Sequence, residues 1–241
     1  MRTSKNINYT WLAFIVAVII YIPLAGAEQS IKIVRYYIEK KGAETKDVLW
    51  SLSHNNTYQL TYKTVDETHI TCTDDTFATL SWAMGSPTRK CSIHASRKYN
   101  TISIKGMLNG QAINKHIEID DTPWFQATSL SLKGLINSGE KEIQFWTLRP
   151  ETLKAYKLKA IKENSELFLI GNTPIEAVKI KLCLTGFLSP FWSSHYWFST
   201  KDGSFLGFEG PADKSGLTRI SVTYSGETQN ASGHTDDKNP E

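Results

Sequence analysis

Apolar and polar residues alternate along most of this chain with a period of two. Tyr58, Leu60 and Tyr62 alternate with Gln59, Thr61 and Lys63, which predicts a strand with one buried and one wet face. Runs rich in strand formers recur at Thr68–Thr73, Phe77–Met84, Lys90–Arg97, Thr101–Leu108, Ala112–Ile119, Glu142–Arg149, Thr152–Ile161, Glu166–Ile170, Glu176–Thr185 and Leu217–Tyr224. Ile31–Lys41 reads as a first strand or a short helix, because its periodicity does not decide. Asp74-Asp75, Gly85-Ser86-Pro87, Lys98-Tyr99-Asn100 and Asn109-Gly110 punctuate the runs with residues that favour turns. Short strands at this spacing predict a mostly β fold: a strongly curved antiparallel sheet or open barrel.

The densest aromatic cluster lies in Phe187–Gly210, with Phe187, Phe191, Trp192, Tyr196, Trp197, Phe198, Phe205 and Phe208. Asp202-Gly203 between two strand-forming runs predicts a two-residue hairpin turn. That turn sets Trp197 opposite Phe208, Ser199 opposite Leu206, Tyr196 opposite Glu209 and Phe198 opposite Gly207. Bulk then falls on both faces, as in a strand pair deep within a curved sheet.

One helix is expected to interrupt the strands at Pro123–Asn137. Thr122 suits its cap, Pro123 its first turn, and Gly134 or Gly139 its end. Its apolar residues, among them Trp124, Leu132, Leu135 and Ile136, should rest on the concave side of the sheet as a lid or plug.

The N-terminus changes the picture of where the domain begins. Arg2 and Lys5 precede the apolar run Trp11–Ile22, then Pro23 and Ala25-Gly26-Ala27. This predicts a signal peptide over residues 1–27, cleaved after Ala27 into the periplasm, with no integral membrane span afterwards. Ala27-Glu28 lacks the cysteine that a lipoprotein needs. Residues 28–225 then form one antiparallel β domain, and residues 226–241, without a large apolar side chain, form a disordered tail. Removing residues 1–27 takes two of the 27 bases and none of the 24 acids, leaving a net charge of +1. Such a balance offers nothing to nucleic acid or an anionic membrane through bulk charge.

The segments PWFQATSLSLKGLINSGEKEIQFWTLRPETLKAYKL, FWSSHYWFSTKDGSFLGFEG and DTFATLSW resemble a family of uncharacterised secreted bacterial β-proteins. The resemblance covers roughly residues 30–225 as a pattern of strands, helix and turns. More distantly, a curved antiparallel sheet with an inserted helix is similar to half-barrel envelope proteins that carry lipids or lipoproteins, an analogy of fold alone.

Candidate chemistry is sparse. His69-x-x-Cys72 is mirrored by Cys91-x-x-His94. A Cys72–Cys91 disulfide suits an exported chain, free thiols suit a strand intervening at Phe77–Met84, and a zinc site needs a bulge, because a three-residue offset places Cys and His on opposite faces. Cys183, between Leu182 and Leu184, reads as a small buried hydrophobe. His195 follows two serines, but no G-x-S-x-G elbow, H-E-x-x-H helix, P-loop or dinucleotide fingerprint occurs. Asp74-Asp75 and Asp120-Asp121 read as turn and helix-start residues. Arg149 before Pro150 suits either an anionic head group or an ion pair with Glu151.

These observations predict a non-catalytic envelope protein without a cofactor or metal, whose partner is a hydrophobic small molecule or lipid. Trp124, Leu132, Trp146, Arg149, Tyr196, Trp197 and Phe208 are the expected ligand-binding residues. The alternative is a structural or partner-binding protein with a filled interior.

Overall fold

The computed structural model describes residues 32–40, 46–186, 192–211 and 219–228. The expected signal peptide, Phe187, Phe191 and the chain from residue 229 lie outside the described residues. The strands are β1 (Lys32–Lys40), β2 (Lys46–Asn55), β3 (Thr57–Lys63), β4 (Thr68–Thr73), β5 (Thr79–Ser86), β6 (Cys91–Lys98), β7 (Thr101–Leu108) and β8 (Gln111–Glu118). Two short helices follow, α1 (Thr128–Ser131) and α2 (Lys133–Asn137). The remaining strands are β9 (Glu142–Arg149), β10 (Lys154–Ile170), β11 (Thr173–Leu184), β12 (Ser193–Ser199), β13 (Phe205–Pro211) and β14 (Arg219–Thr228).

The fourteen strands among the described residues form one sheet in the order β8-β7-β6-β5-β4-β3-β2-β1-β14-β13-β12-β11-β10-β9. Every neighbouring pair is antiparallel. The first strand therefore sits in the middle, and two meanders run outward from it and β14. Apart from the β1–β14 pairing, each sheet neighbour is also a chain neighbour. The exception in connectivity is β8 to β9, which joins the two edges of the sheet through residues 119–141. Residues of this connection bond to both β5 and β9, ten strand positions apart, so the sheet curls around it and the crossover and its helices lie on the concave side.

The crossover also clasps the curled sheet. Trp124 forms an isolated parallel bridge with Trp146 of β9. Trp146 donates its backbone N–H to Pro123 O (2.8 Å), Phe125 donates to Trp146 O (2.8 Å), and Thr79 of β5 donates to Trp124 O (2.7 Å). This corrects the expected helix start. Pro123–Phe125 is extended because its backbone groups serve strands on both sides, and the residue before a proline is itself pushed away from helix. The helix begins at Thr128, is interrupted at Leu132 and ends at Asn137.

Asp120 anchors the same crossover. Its carboxylate accepts hydrogen bonds from the Lys157 ammonium, the Thr122 hydroxyl, Trp146 Nε1–H (2.8 Å) and Thr122 N–H (3.1 Å). Lys157 above all, then Thr122 and Trp146, hold the Asp120 carboxyl well below the usual carboxylate range. A depressed folded-state pKa gives stability that is complete above the unfolded value of about 3.9 and is lost as acid protonates the folded state. Asp120→Asn is expected to lower the thermal midpoint near neutral pH, with the gap from wild type closing in strong acid. A pH series of thermal melts checks this.

Three further expectations are corrected. No strand was expected at Lys46–Asn55, yet Val48, Trp50 and Leu52 alternate there; the outward Leu49, 38% exposed, blurs the pattern. The runs around Thr152–Ile161 and Glu166–Ile170 fuse into the single strand β10, which carries a bulge between Lys162 and Ser165. Gly226–Thr228, expected in the tail, belong to β14 and pair with Ile33–Arg35 of β1.

Two main clusters form the core. One packs Val34, Tyr36, Val48, Phe198 and Phe205 of the sheet against Phe125, Leu132 and Leu135 of the crossover. The other joins Trp82, Ile93, Ile102 and Ile104 to Trp124, Leu148 and Leu153. The distal β10–β11 hairpin adds a small core on the outer face, where Phe168 and Ile175 pack with Ala177, Trp197 and Leu206.

Candidate functional site

Strand alternation and two bulges build an aromatic band on the inner face. On β2 and β3, Trp50 pairs with Tyr62 in register, and Tyr62 pairs with His69 of β4. On β12 and β13, Tyr196 pairs with Phe208, Trp197 with Gly207 and Phe198 with Phe205. This register differs from the expected one by one residue at Tyr196 and Trp197 and by two at Phe198. The Asp202-Gly203 loop is longer than two residues: Ser199 pairs with Ser204 (2.8 Å), and Gly203 N–H returns to Ser199 O (2.9 Å). Leu206 is then the extra residue of a bulge. The bulge brings Phe205 and Phe208, three apart in sequence, to one face of the strand. A second bulge between Arg35 and Tyr36, opposite Tyr224, aligns those two tyrosines.

The rings touch in sequence across the sheet. Trp50 stacks on Phe205 with centroids 5.2 Å apart and planes 9° from parallel. Tyr36 lies 4.7 Å from Trp50 and 5.3 Å from Phe205. Tyr196 lies 5.9 Å from Phe205 and 4.8 Å from Phe208, and Tyr62 lies 6.5 Å from Trp50. Tyr36 Oη–H donates to Phe205 O (3.0 Å). The helical segment covers part of this band, with Leu132 fully buried and Thr128 Oγ1–H donating to Tyr196 Oη (2.8 Å). Burial pushes the Tyr196 hydroxyl up to about 12. Trp50, Tyr62, Tyr196, Phe208, Val222 and Tyr224 stay half-buried beside the helix.

Several polar atoms on the inner side are buried without a hydrogen bond: Trp50 Nε1, His69 Nε2 and Ser194 Oγ, together with Ser131 Oγ on α1. Such atoms are uncommon in native interiors and each calls for a partner. His69 Nε2 does lie 3.3 Å from Glu67 Oε1, while its Nδ1 accepts from Trp82 Nε1–H (3.3 Å). Glu67 also holds Arg89 at 2.6 Å. The His69 contact first, and the Arg89 charge with it, keep the Glu67 carboxyl below its usual range. Burial first, and Glu67 second, push the Tyr62 hydroxyl up to about 12.

The seven expected ligand-binding residues do not converge. Leu132, Tyr196 and Phe208 meet in the core that carries the aromatic band. Trp124 and Trp146 belong to the second core, because the clasp and not a helix positions them. Trp197 faces outward, where its Nε1–H donates to Glu166 (2.7 Å) and Phe168 lies 5.2 Å away. Arg149 takes the ion-pair alternative, 3.1 Å from Glu151. The Cys72–Cys91 disulfide is not formed, and both thiols are free. Cys72 pairs with Ser81 and Cys91 with Ser86 on either side of β5, which sets them roughly 17 Å apart along the strands alone. Asp74 serves its turn, accepting from Thr76 N–H and Ala78 N–H at 2.9 Å each. Among the described residues, no group of three or more His, Cys, Asp or Glu could hold a metal, and no helix is long and apolar enough to cross a membrane. Trp50, Tyr62, Tyr36 and Phe205 are the band members that the sequence reading missed.

No family model matches the sequence, and no curated protein matches it. Solved structures do. A β-barrel-like protein of domain of unknown function DUF1849 from Brucella abortus superposes with a TM-score of 0.58 at 8% identity, covering 83% of this chain and 98% of that one. The two chains share a fold. The expected likeness to a β-family of unknown function thus holds at the level of fold. The hypothetical lipoprotein YmcC from Escherichia coli matches at a TM-score of 0.40 and 10% identity, covering 82% of this chain and 85% of its own. A putative outer membrane lipoprotein-sorting protein domain from Vibrio parahaemolyticus matches at 0.34 and 9%, covering 86% and 88%.

Proposed function

We propose that this chain is a non-catalytic envelope protein that holds an apolar or amphipathic molecule on the inner face of its sheet. The observation that carries this reading is the aromatic band, continuous from Tyr62 through Trp50 and Phe205 to Phe208, which the helical segment covers only in part. Rings lining a concave face exclude water and offer acyl or planar groups a large contact area. The signal-peptide pattern of residues 1–27 supports export.

Native purification followed by lipid extraction and mass spectrometry tests the reading, together with titration of a fluorescent fatty-acid probe. Two truncations separate plug from binding surface. Leu132→Ala removes a side chain with no exposed area, and should cost about 2–5 kcal/mol in denaturant unfolding. Phe208→Ala acts on the half-buried part of the band, and should cost less stability while weakening probe binding about ten-fold. A wild-type protein that yields no co-purifying lipid and binds no probe would favour the filled-interior alternative, to which the complete burial of Leu132 already lends support.

A further inference from the structure

We infer that the inner face selects an uncharged amphiphile, a single acyl chain with an ester-bearing head, over an anionic one such as a free fatty acid. This rests on the ligand-binding reading above and adds the head-group chemistry. Four cations that register or contact brings to this face are already engaged. Lys46 pairs with Asp66 (2.8 Å), Arg89 with Glu67 (2.6 Å), Lys115 donates to Leu153 O (3.2 Å) and Lys162 to Ser138 O (2.7 Å). A carboxylate or phosphate entering beside them would lose its hydration without gaining a counter-charge.

The polar end of the aromatic band also holds the Glu67 carboxylate, which is paired with Arg89. Trp50, Tyr62 and His69 occupy one row across β2, β3 and β4, and the Glu67 carboxylate abuts that row through His69. Its carboxyl is held below the usual range and so stays ionised at neutral pH, which keeps Arg89 engaged and leaves a second anion no counter-charge there. What the inner face does offer are neutral donors without partners. Trp50 Nε1–H is buried and unbonded at the Trp50–Tyr62 end of the band. Tyr62 keeps its proton well beyond neutral pH. An ester carbonyl or glycerol hydroxyl satisfies such donors and carries no charge to desolvate. The acyl chain would lie along Phe205, Tyr196 and Phe208, and the head toward Trp50 and Tyr62.

Competition of 1-monooleoylglycerol and of oleate against the fluorescent acyl probe tests this, with the full-length protein at about pH 8 where oleate is ionised. The ester is expected to bind about ten-fold more tightly than oleate, a difference of about 1.4 kcal/mol. Trp50→Phe keeps a ring against Phe205 but removes the N–H, and should erase that preference. Glu67→Gln removes the carboxylate and releases Arg89, and should tighten oleate about five-fold. Equal or tighter binding of oleate by the wild type overturns the inference. So does an ester preference that survives Trp50→Phe, or an oleate affinity indifferent to Glu67→Gln. Binding of neither ligand overturns the ligand-binding reading itself, and this inference with it.

Discussion

Trp124→Ala is expected to remove about 3–5 kcal/mol of folding stability, more than any other truncation in the crossover. The indole is fully buried in the second core, so its loss leaves a cavity that rigid strands on both sides cannot fill. A polar consequence follows from Gln126. Trp124 Nε1–H donates to Gln126 Oε1 (2.9 Å), which also accepts Leu148 N–H (3.0 Å), while Gln126 Nε2 donates to Leu148 O (2.9 Å). The Gln126 amide therefore imitates one more residue of strand beside β9, and the indole fixes its orientation. Without it, the clasp between β5 and β9 loses both packing and alignment. Urea titration followed by tryptophan fluorescence and circular dichroism measures the effect. A loss below about 1 kcal/mol would mean that the two cores hold the curl without the clasp.

Gly106→Ala should be the most damaging single methyl in the chain. Gly106 lies on β7 between Ile93 and Ile113, at φ +134°, where an L side chain is strained. A Cβ there would stand 2.0 Å from the Ser92 carbonyl oxygen, a backbone atom that cannot rotate away. The expected result is insoluble protein or a loss above about 4 kcal/mol. Gly85→Ala is the matched control on β5, since nothing lies within 4 Å of its Cβ position, and it should stay within about 0.5 kcal/mol of wild type. Soluble yield and thermal melts of the two variants decide the matter.

Most of the fold was legible because its strands obey a period of two and its turns use residues with definite backbone preferences. Asn109-Gly110 is the clear case: both residues have positive φ, +52° and +79°, and Leu108 pairs with Gln111 across them. What escaped was whatever depends on an inserted residue or a distant partner. A bulge at Leu206 shifts every pairing beyond it, and no local pattern marks the residue as extra. Pro123 looks like the first turn of a helix until β5 and β9 claim its neighbours' hydrogen bonds. The candidate site suffered more than the fold, because a one-residue register error sends a side chain to the opposite face. Phe205 was missed by that route, whereas Trp197, next to inward-facing Tyr196 on one strand, faces outward whatever the register.

The central position of β1 has a consequence for how the chain assembles. During synthesis or refolding, β1–β8 can pair one after another as hairpins, each contact close in sequence. The other side of β1 must wait for β14, nearly the whole chain later. Until then an edge carrying Val34 and Tyr36 stands unpaired, the kind of template onto which a second unfinished chain adds itself. Loop closure over that span is slow, so the last step of folding is also the step most exposed to aggregation. The protein should therefore refold with a yield that falls as concentration rises, even where the finished sheet is stable.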